Sequence, residues 1–282
     1  MSIVNVKEIV EKKKSNLKRE VLELRDNGII PKLAVILAND NDASRIYVGR
    51  KRKMCHELGI DEVEYIFDEK ITTEEVIKTI ENLNENNEID GILVQLPLFK
   101  HLDEQKILDS VSPNKDVDGF NSVNVGRLYK GEKDIIPCTP KGILTILKEL
   151  DTNIQGKNAV IVGRSQIVGR PMAALLLSEG ATVTICHSKT TDLPLHTRQA
   201  DILVVATGVP HLIKKDMVKE GAIVIDVGMT RVGEKLVGDV DTESVAGVAK
   251  YITPVPGGVG LTTVYSLMEN VVSLSKNRKC RA

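Results

Sequence analysis

The stretch Ala159-Val160-Ile161-Val162-Gly163-Arg164-Ser165-Gln166-Ile167-Val168-Gly169-Arg170-Pro171 decides the fold. Four apolar residues lead into a glycine, a short polar turn follows, and a second glycine precedes a helical segment. This order predicts a strand, a tight turn and a helix. Because amides at a helix N-terminus point at anions, the turn is a candidate site for the pyrophosphate of a dinucleotide. Its glycine spacing departs from G-x-G-x-x-G, so a plain strand-to-helix turn stays an alternative.

The next predicted strand, 182–186, leads into the turn His187-Ser188-Lys189-Thr190. Sites for NAD carry an Asp or Glu near this strand end, which binds the ribose 2′-hydroxyl. Here Ser188 and Lys189 occupy that place, and Arg164 is available from the first turn. A hydroxyl and cations suit a 2′-phosphate, so the sequence predicts NADP over NAD as cofactor. A solvated loop is the alternative.

Predicted strands and helices alternate along the whole chain, which indicates an α/β fold with parallel sheets. At 282 residues the chain is long enough for two domains. We predict an N-terminal α/β catalytic domain (1–139 plus 265–282) and a C-terminal Rossmann-like NADP-binding domain (140–264), with a cleft between them. The predicted helices are 7–26, 44–58, 73–84 and 141–150, and the predicted strands are 33–38, 62–67, 91–95, 158–162, 182–186, 201–206 and 222–227.

The composition excludes several classes of protein. The net charge of −1 gives no support to nucleic-acid binding. No apolar run approaches membrane-spanning length, and charge follows the N-terminus too closely for a secretory signal, so we expect a cytoplasmic protein. The histidines and cysteines show no metal-ligand spacing, so no metal is expected. We expect the four cysteines to be reduced thiols: Cys55, Cys138, Cys186 and Cys280.

A basic segment in the first half carries candidate catalytic residues. Tyr47 and Lys51 are four residues apart, so a helix would place them on one face. A phenol beside an ammonium can stack against a planar substrate and exchange protons with it. The surrounding run 50–53 is in itself typical of a solvated basic helix face.

Two further segments favour a catalytic site at Tyr47 and Lys51 over a solvated basic helix face. Gln95 ends a predicted buried strand and is followed by Pro97, and an uncharged amide there could orient Lys51 without an ion pair. Asp116 and Asp118 lie on a predicted turn, where one of them could accept paired hydrogen bonds from an amino-heterocycle. Ordinary strand-end and turn roles are the alternatives.

Small residues follow the later strands. The strands 201–206 and 222–227 lead into Thr207-Gly208 and Gly228, at the carboxyl ends where ligands of α/β sheets bind. Two prolines stiffen a later segment, and three of its residues are glycines without side chains: Thr253-Pro254-Val255-Pro256-Gly257-Gly258-Val259-Gly260. Such a chain lets backbone amides touch a ligand directly.

Taken in order, these segments resemble the FolD family of bifunctional methylenetetrahydrofolate dehydrogenases and methenyltetrahydrofolate cyclohydrolases. The resemblance runs nearly end to end, and it implies an enzyme of one-carbon metabolism that is a cytoplasmic homodimer. It implies NADP-dependent oxidation of 5,10-methylenetetrahydrofolate to the 5,10-methenyl form, then hydrolysis to 10-formyltetrahydrofolate. Basic residues around Lys51 are also candidates for attracting the polyglutamate tail of such folates.

The resemblance assigns roles residue by residue. Lys51 matches the catalytic lysine, Tyr47 the pterin-facing tyrosine, and Gln95 the glutamine that positions the lysine. The remaining matches are Asp118 as the pterin-binding aspartate, Pro256, Gly257 and Gly260 as a wall near folate and nicotinamide, and Gly163, Arg164, Ser165, Ser188 and Met229 as cofactor contacts. Thr207 and Gly208 are added to the predicted cofactor contacts because they follow a strand end.

The chain departs from the family pattern at two places. Met229 replaces a usual isoleucine, and Leu261-Thr262 replaces a usual Pro-Met, which leaves the local loop geometry open. Two rival functions also stay open: another NADP-dependent two-domain dehydrogenase, of the shikimate or amino-acid type, and a non-catalytic nucleotide-binding or scaffold protein.

Overall fold

The computed structural model describes residues 3–277, apart from the side chain of Ala43. The helices are α1 (Val6–Asp26), α2 (Asp42–Leu58), α3 (Thr73–Glu85), α4 (Glu104–Ser110), α5 (Ser122–Tyr129), α6 (Cys138–Glu149), α7 (Gly169–Ser178), α8 (Leu193–Thr197), α9 (Thr242–Val245) and α10 (Val259–Lys276). The strands are β1 (Lys32–Leu37), β2 (Asp61–Ile66), β3 (Gly91–Val94), β4 (Asn158–Val162), β5 (Thr182–Cys186), β6 (Ile202–Val205), β7 (Ile223–Asp226), β8 (Thr230–Val232), β9 (Lys235–Val237) and β10 (Tyr251–Ile252).

The chain forms two compact units. Within the described residues, the N-terminal unit consists of 12–127, 133–138 and 264–277, and the C-terminal unit consists of 3–11, 128–132 and 139–263. The predicted domain boundaries at 139/140 and 264/265 stay a prediction.

The N-terminal unit contains a parallel three-stranded sheet in the order β2-β1-β3. The central strand β1 is apolar and almost wholly buried, as expected of a parallel strand that is covered on both faces. In the register, Ile36 of β1 lies beside Val94 of β3. The residues that follow β1 and β3 therefore emerge at the same edge of the sheet.

The C-terminal unit contains a parallel five-stranded sheet in the order β10-β7-β6-β4-β5. The chain runs from β4 outward to β5, then returns to the other side of β4 with β6. The strand order thus reverses between β4 and β6, which is where open α/β sheets form a ligand crevice. A small antiparallel hairpin, β8-β9, follows β7.

Local sequence explains where two helices differ from their predicted starts. Helix α6 begins at Cys138, three residues before the predicted start, because Pro140 lies in its first turn, where a missing N–H costs no helical hydrogen bond. Helix α2 begins at Asp42, and Ser44, the predicted start, is a buried residue inside it. The amide of Arg45 donates to the carbonyl of Asn41, which closes the first turn.

The described part of the chain contains no helix that is long and apolar enough to cross a membrane. Cys55, Cys138 and Cys186 are buried and form no disulfide bond in the described part of the chain, and Cys280 lies outside it.

Candidate functional site

In the N-terminal unit, Lys51 lies on α2 and Gln95 directly follows β3. Lys51 is only 7% exposed, and its Nζ atom donates to Oε1 of Gln95 at 2.9 Å. A buried ammonium needs such a partner because an unpaired charge in a protein interior is strongly unfavourable. A neutral amide meets this need without a second charge.

The side chain of Gln95 is itself held in one orientation. Its Nε2 atom donates to the carbonyl of Leu96 at 2.7 Å, which leaves Oε1 to face Lys51. Its backbone N–H donates to the carbonyl of Ile36 at 2.9 Å, so the residue is fixed to the end of β1.

Asn39 supports the same sheet edge, a role that the sequence did not predict. It is 5% exposed, and its Nδ2 atom donates to the carbonyl of Pro97 at 2.7 Å. A polar residue just after a buried strand, as Asn39 is after β1, was the available signal.

Tyr47 lies one turn before Lys51 on α2 and is half-buried. Burial raises the pKa of its phenol above the ordinary value, and the nearby Arg50 partly opposes this shift. The guanidinium carbon of Arg50 lies 5.6 Å from the centre of the Tyr47 ring, a distance typical of a cation–π contact.

The basic run on α2 is partly neutralised by acidic neighbours. Arg52 forms an ion pair with Glu64 of β2, and Lys53 lies 3.9 Å from Glu57. The run is therefore a weaker positive patch than its sequence suggests.

The two carboxylates of the turn after α4 are in different environments. Asp116 is 4% exposed and accepts hydrogen bonds from the amides of Gly119 and Asn121 and from Nδ2 of Asn124. Burial raises its pKa, and these hydrogen bonds act against that rise. Asp118 is only half-buried. Asp116 therefore holds the turn together, and Asp118 is the carboxylate available to a ligand.

In the C-terminal unit, glycines are required where the turn after β4 meets its neighbours. A Cβ atom on Gly163, whose φ is +126°, would lie 2.2 Å from the carbonyl oxygen of Ala206. A Cβ atom on Gly169 would lie 2.1 Å from the carbonyl oxygen of Gly163. The first contact brings the end of β4 against the end of β6, at the point where the strand order reverses.

Ser165 organises this turn. Its Oγ atom accepts from the amides of Val168 and Gly169 at 3.2 and 3.3 Å. Two amides at the start of α7, in the turn predicted to bind a pyrophosphate, thus already have a hydrogen-bond partner. Arg164 and Ser165 themselves are exposed.

The turn after β5 lies beside the turn after β4. The amide of Gly163 donates to the carbonyl of Cys186 at 2.8 Å, and the amide of His187 donates to Oγ1 of Thr190 at 2.8 Å. Ser188 and Lys189 are exposed on this turn. Arg164, Ser188 and Lys189 are therefore at the ends of two paired strands, as the prediction of a 2′-phosphate site requires.

The residues after β6 and β7 lie at the same carboxyl edge of the sheet as the turns after β4 and β5. They lie on the opposite side of β4 from β5. Gly208 has a φ of +71° and open space around its Cα, while Met229 is 37% exposed. The hydroxyl of Thr207 donates to Oδ2 of Asp239 at 2.9 Å. Sequence reasoning missed Asp239 and its neighbour Asp226, both of which are fully buried behind these loops.

Part of the segment before α10 is exposed. Pro256 and Gly257 are exposed, and Gly257 has a φ of +93° with open space beyond its Cα. Gly260 lies in the first turn of α10 and is half-buried.

At the Leu261-Thr262 departure the structure is closely packed. Thr262 is fully buried, and a Cβ atom on Gly142 of α6 would lie 2.7 Å from its hydroxyl oxygen.

No three side chains of His, Cys, Asp or Glu among residues 3–277 are grouped so that they could hold a metal ion.

Comparison with known proteins identifies the family. Residues 4–118 match the catalytic domain of tetrahydrofolate dehydrogenase/cyclohydrolase, and residues 137–279 match its NAD(P)-binding domain. The "Bifunctional protein FolD" of Campylobacter hominis is 52% identical over 279 residues, which cover 99% of this chain and 98% of that protein.

Two solved structures show the same fold over the whole chain. The FolD methylenetetrahydrofolate dehydrogenase/cyclohydrolase of Campylobacter jejuni superposes with a TM-score of 0.97 at 49% identity and covers 99% of both chains. The Trypanosoma brucei enzyme, solved in complex with NADP cofactor and an inhibitor, gives a TM-score of 0.93 at 37% identity and covers 99% of this chain and 98% of that one.

These matches confirm the predicted resemblance and the two-domain α/β fold class, and they do not favour either rival function. The chain belongs to the tetrahydrofolate dehydrogenase/cyclohydrolase family.

Proposed function

We propose that this protein oxidises 5,10-methylenetetrahydrofolate with NADP⁺ to 5,10-methenyltetrahydrofolate and then hydrolyses that product to 10-formyltetrahydrofolate. The observation that carries the proposal is the buried hydrogen bond from Lys51 to Gln95, which supplies an oriented amine within the matched catalytic domain.

The residues at the sheet edge of the C-terminal unit fit NADP. Arg164, Ser188 and Lys189 are exposed at paired strand ends and would hold the 2′-phosphate. The open backbone at Gly208 and the exposed Met229 would adjoin the remainder of the cofactor, together with Gly163, Ser165 and Thr207. When bound, the cofactor accepts the two electrons that oxidise the one-carbon unit.

The proposed folate contacts are the residues that match the family pattern. Tyr47 would lie against the pterin ring, and Asp118 would accept paired hydrogen bonds from its amino-heterocycle. Pro256, Gly257 and Gly260 would supply a wall without bulky side chains. Holding the one-carbon unit in a single orientation is the main task of these residues in the oxidation.

Lys51 would act as general base and general acid in the hydrolysis. Water adds to the methenyl carbon, the five-membered ring opens, and one proton is released to solvent for each molecule hydrolysed. In its neutral form, a lysine near the reacting carbon can take the proton of the attacking water, and the ammonium formed can return a proton to the leaving nitrogen. Gln95 would keep the amine in place during this exchange.

We also propose a homodimer in the cytoplasm. Exposed apolar side chains near the edge strand β5 support self-association, because such patches commonly mark interfaces. They include Tyr129, Leu177 and Ile185, which are 57%, 64% and 38% exposed and line a groove of about 410 Å³. Sedimentation of the protein at several concentrations tests this.

The basic face around Lys51 is proposed to attract a polyglutamate tail. Arg50 and Lys53 remain exposed there, whereas Arg52 is paired with Glu64. Affinity for a polyglutamylated folate should then fall with salt more steeply than affinity for the monoglutamate.

One assay tests the central proposal. Tetrahydrofolate and formaldehyde, which combine to give the methylene substrate, are mixed with the protein and NADP⁺. Formation of NADPH together with 10-formyltetrahydrofolate is expected. Absence of both products would exclude the proposed function.

A further inference from the structure

Asp239 joins the loops at the edge of the C-terminal sheet. It lies between β9 and α9 and is fully buried. Its Oδ2 atom accepts from the amide and hydroxyl of Thr207 at 2.6 and 2.9 Å and from the amide of Gly208 at 2.9 Å. Three donors on a single carboxylate oxygen fix the short segment that follows β6.

The other oxygen of Asp239 faces the segment that follows β7. A Cβ atom on Gly228 would lie 2.0 Å from Oδ1 of Asp239, so Gly228 is in direct contact with the carboxyl group. This oxygen is buried without a hydrogen-bond partner, an arrangement that costs stability. Met229 follows immediately. One carboxylate thus contacts both loops that carry proposed cofactor residues.

A second aspartate sets the position of the first. Oδ1 of Asp226 accepts from the amides of Gly228 and Asp239, both at 3.0 Å, and its Oδ2 accepts from the amide of Val240 at 2.9 Å. A Cβ atom on Gly238 would lie 1.9 Å from that Oδ2. The carboxylate of Asp226 thus fixes the backbone of Asp239 and of its neighbour Val240, and this sets where the Asp239 side chain begins.

The hydrogen bonds of Thr207 limit what its side chain can do. Its hydroxyl donates to Asp239 and accepts from the amide of Val209 at 3.1 Å. The hydroxyl proton and the amides of Thr207 and Gly208 are therefore used inside the protein, and this segment meets a ligand through its backbone carbonyls and the open side of Gly208. The orientation of that backbone depends on Asp239.

We propose that Asp239 is a positioning residue for the cofactor, which fixes the Thr207–Gly208 and Gly228–Met229 segments in their binding arrangement. The inference rests on the proposed function, because it takes these segments as the cofactor site. Asp239 acts on the dehydrogenase alone, since hydrolysis of methenyltetrahydrofolate uses no NADP⁺.

The test compares Asp239→Ala and Asp239→Asn with Asp241→Ala. Asp241 caps α9 two residues away through the amide of Ser244 and makes no contact with Thr207 among the hydrogen bonds of the described residues. Equilibrium binding of NADP⁺ by calorimetry and the cofactor-free hydrolysis of methenyltetrahydrofolate are measured for each.

For Asp239→Ala, we expect NADP⁺ affinity to fall about tenfold or more while hydrolysis stays within about twofold of wild type. Asp239→Asn keeps an acceptor oxygen but loses charge, so its affinity should fall by about three- to tenfold. Asp241→Ala should bind NADP⁺ like wild type.

Unchanged NADP⁺ affinity in Asp239→Ala, or parallel losses of binding and hydrolysis, would overturn the inference. If that variant does not fold, Asp239→Asn decides on the same two measurements. Wild-type protein that neither binds NADP⁺ nor reduces it would refute the proposed function instead, so the two failures are distinguishable.

Discussion

The Nζ atom of Lys51 lies 2.9 Å from Oε1 of Gln95, and this hydrogen bond joins helix α2 to the end of strand β3. The amide group of Gln95 cannot rotate freely, because its nitrogen donates to the carbonyl of Leu96. The lysine amine is therefore held by a neutral acceptor at a fixed place, as a group that exchanges protons requires.

Replacing Gln95 by leucine should lower the rate of methenyltetrahydrofolate hydrolysis. A hydrogen bond to a charged group contributes about 1.5–3 kcal/mol, so the rate should fall roughly 10- to 150-fold. Stopped-flow measurement of methenyl hydrolysis checks this. Gln105→Leu is a matched control, since Gln105 is an exposed residue on α4 that bonds only Asp109 among the described side chains. Equal rates in both variants would contradict the positioning role.

Replacing Asp118 by alanine should raise the KM for folate in both reactions. The lost hydrogen bonds to the amino-heterocycle correspond to a roughly 10- to 150-fold weaker interaction. Initial rates of the oxidation and of the hydrolysis, each at varied folate, give the two constants. An unchanged folate KM would exclude the pterin contact.

Asp116→Ala should lower the stability of the protein, in contrast to Asp118→Ala. The Asp116 carboxylate satisfies the amides of Gly119 and Asn121 and the side chain of Asn124, so its removal should cost several kcal/mol of unfolding free energy, at about 1–3 kcal/mol for each orphaned donor. Urea unfolding should show this loss, and Asp118→Ala should unfold close to wild type.

Selection of NADP over NAD should depend on Arg164 and Ser188. Arg164→Ala removes a cation, and Ser188→Asp introduces the carboxylate that NAD sites use, so each should lower the NADP/NAD ratio of kcat/KM by about tenfold or more. Lys219→Ala is the charge-matched control, because Lys219 pairs with Asp201 at the amino end of β6. A wild-type preference for NAD, or variants with an unchanged ratio, would refute the assignment.

Stability should depend on pH through Asp226. Burial, and to a lesser extent the neighbouring Asp239, raises its pKa to about 6. Because an unfolded aspartate titrates near pH 3.9, the folded state binds more protons between these values. The contribution of this group is fully present below about pH 4 and is lost as the pH rises through about 6, by up to about 3 kcal/mol.

Asp226→Asn removes this titration. It also lowers the unfolding free energy by an amount that does not depend on pH, because the hydrogen bonds of residue 226 are altered. The difference in unfolding free energy between wild type and variant should therefore decline with rising pH in this window. Urea unfolding at a series of pH values measures it, and a difference independent of pH would show that Asp226 is ionised throughout.

Much of the fold was predictable because its signals are local. The alternation of predicted strands and helices indicated the parallel sheets, and Gln95 was correctly placed at a strand end, where it accepts a hydrogen bond from Lys51. The capping box of Thr72 and Glu75 at the start of α3 shows how strongly such signals act over a few residues.

The remainder depends on long-range geometry. Asp226 and Asp239 are thirteen residues apart and meet only because the β8-β9 hairpin turns the chain back, so no local pattern pairs them. Local sequence does not distinguish Asp116 from Asp118, whereas the fold shows that Asp116 accepts hydrogen bonds from two backbone amides.

The hydrolysis rate of Lys51→Met tests the central claim most directly. With methenyltetrahydrofolate as substrate and no cofactor present, the rate should fall by about 10²- to 10⁴-fold, because general acid–base catalysis by the amine is lost. Lys106→Met, which removes an exposed lysine of α4, should hydrolyse the substrate at the wild-type rate. The opposite result would be a folded Lys51→Met protein that retains most of the wild-type rate. It would contradict the claim that this amine is the general acid–base catalyst of the hydrolysis.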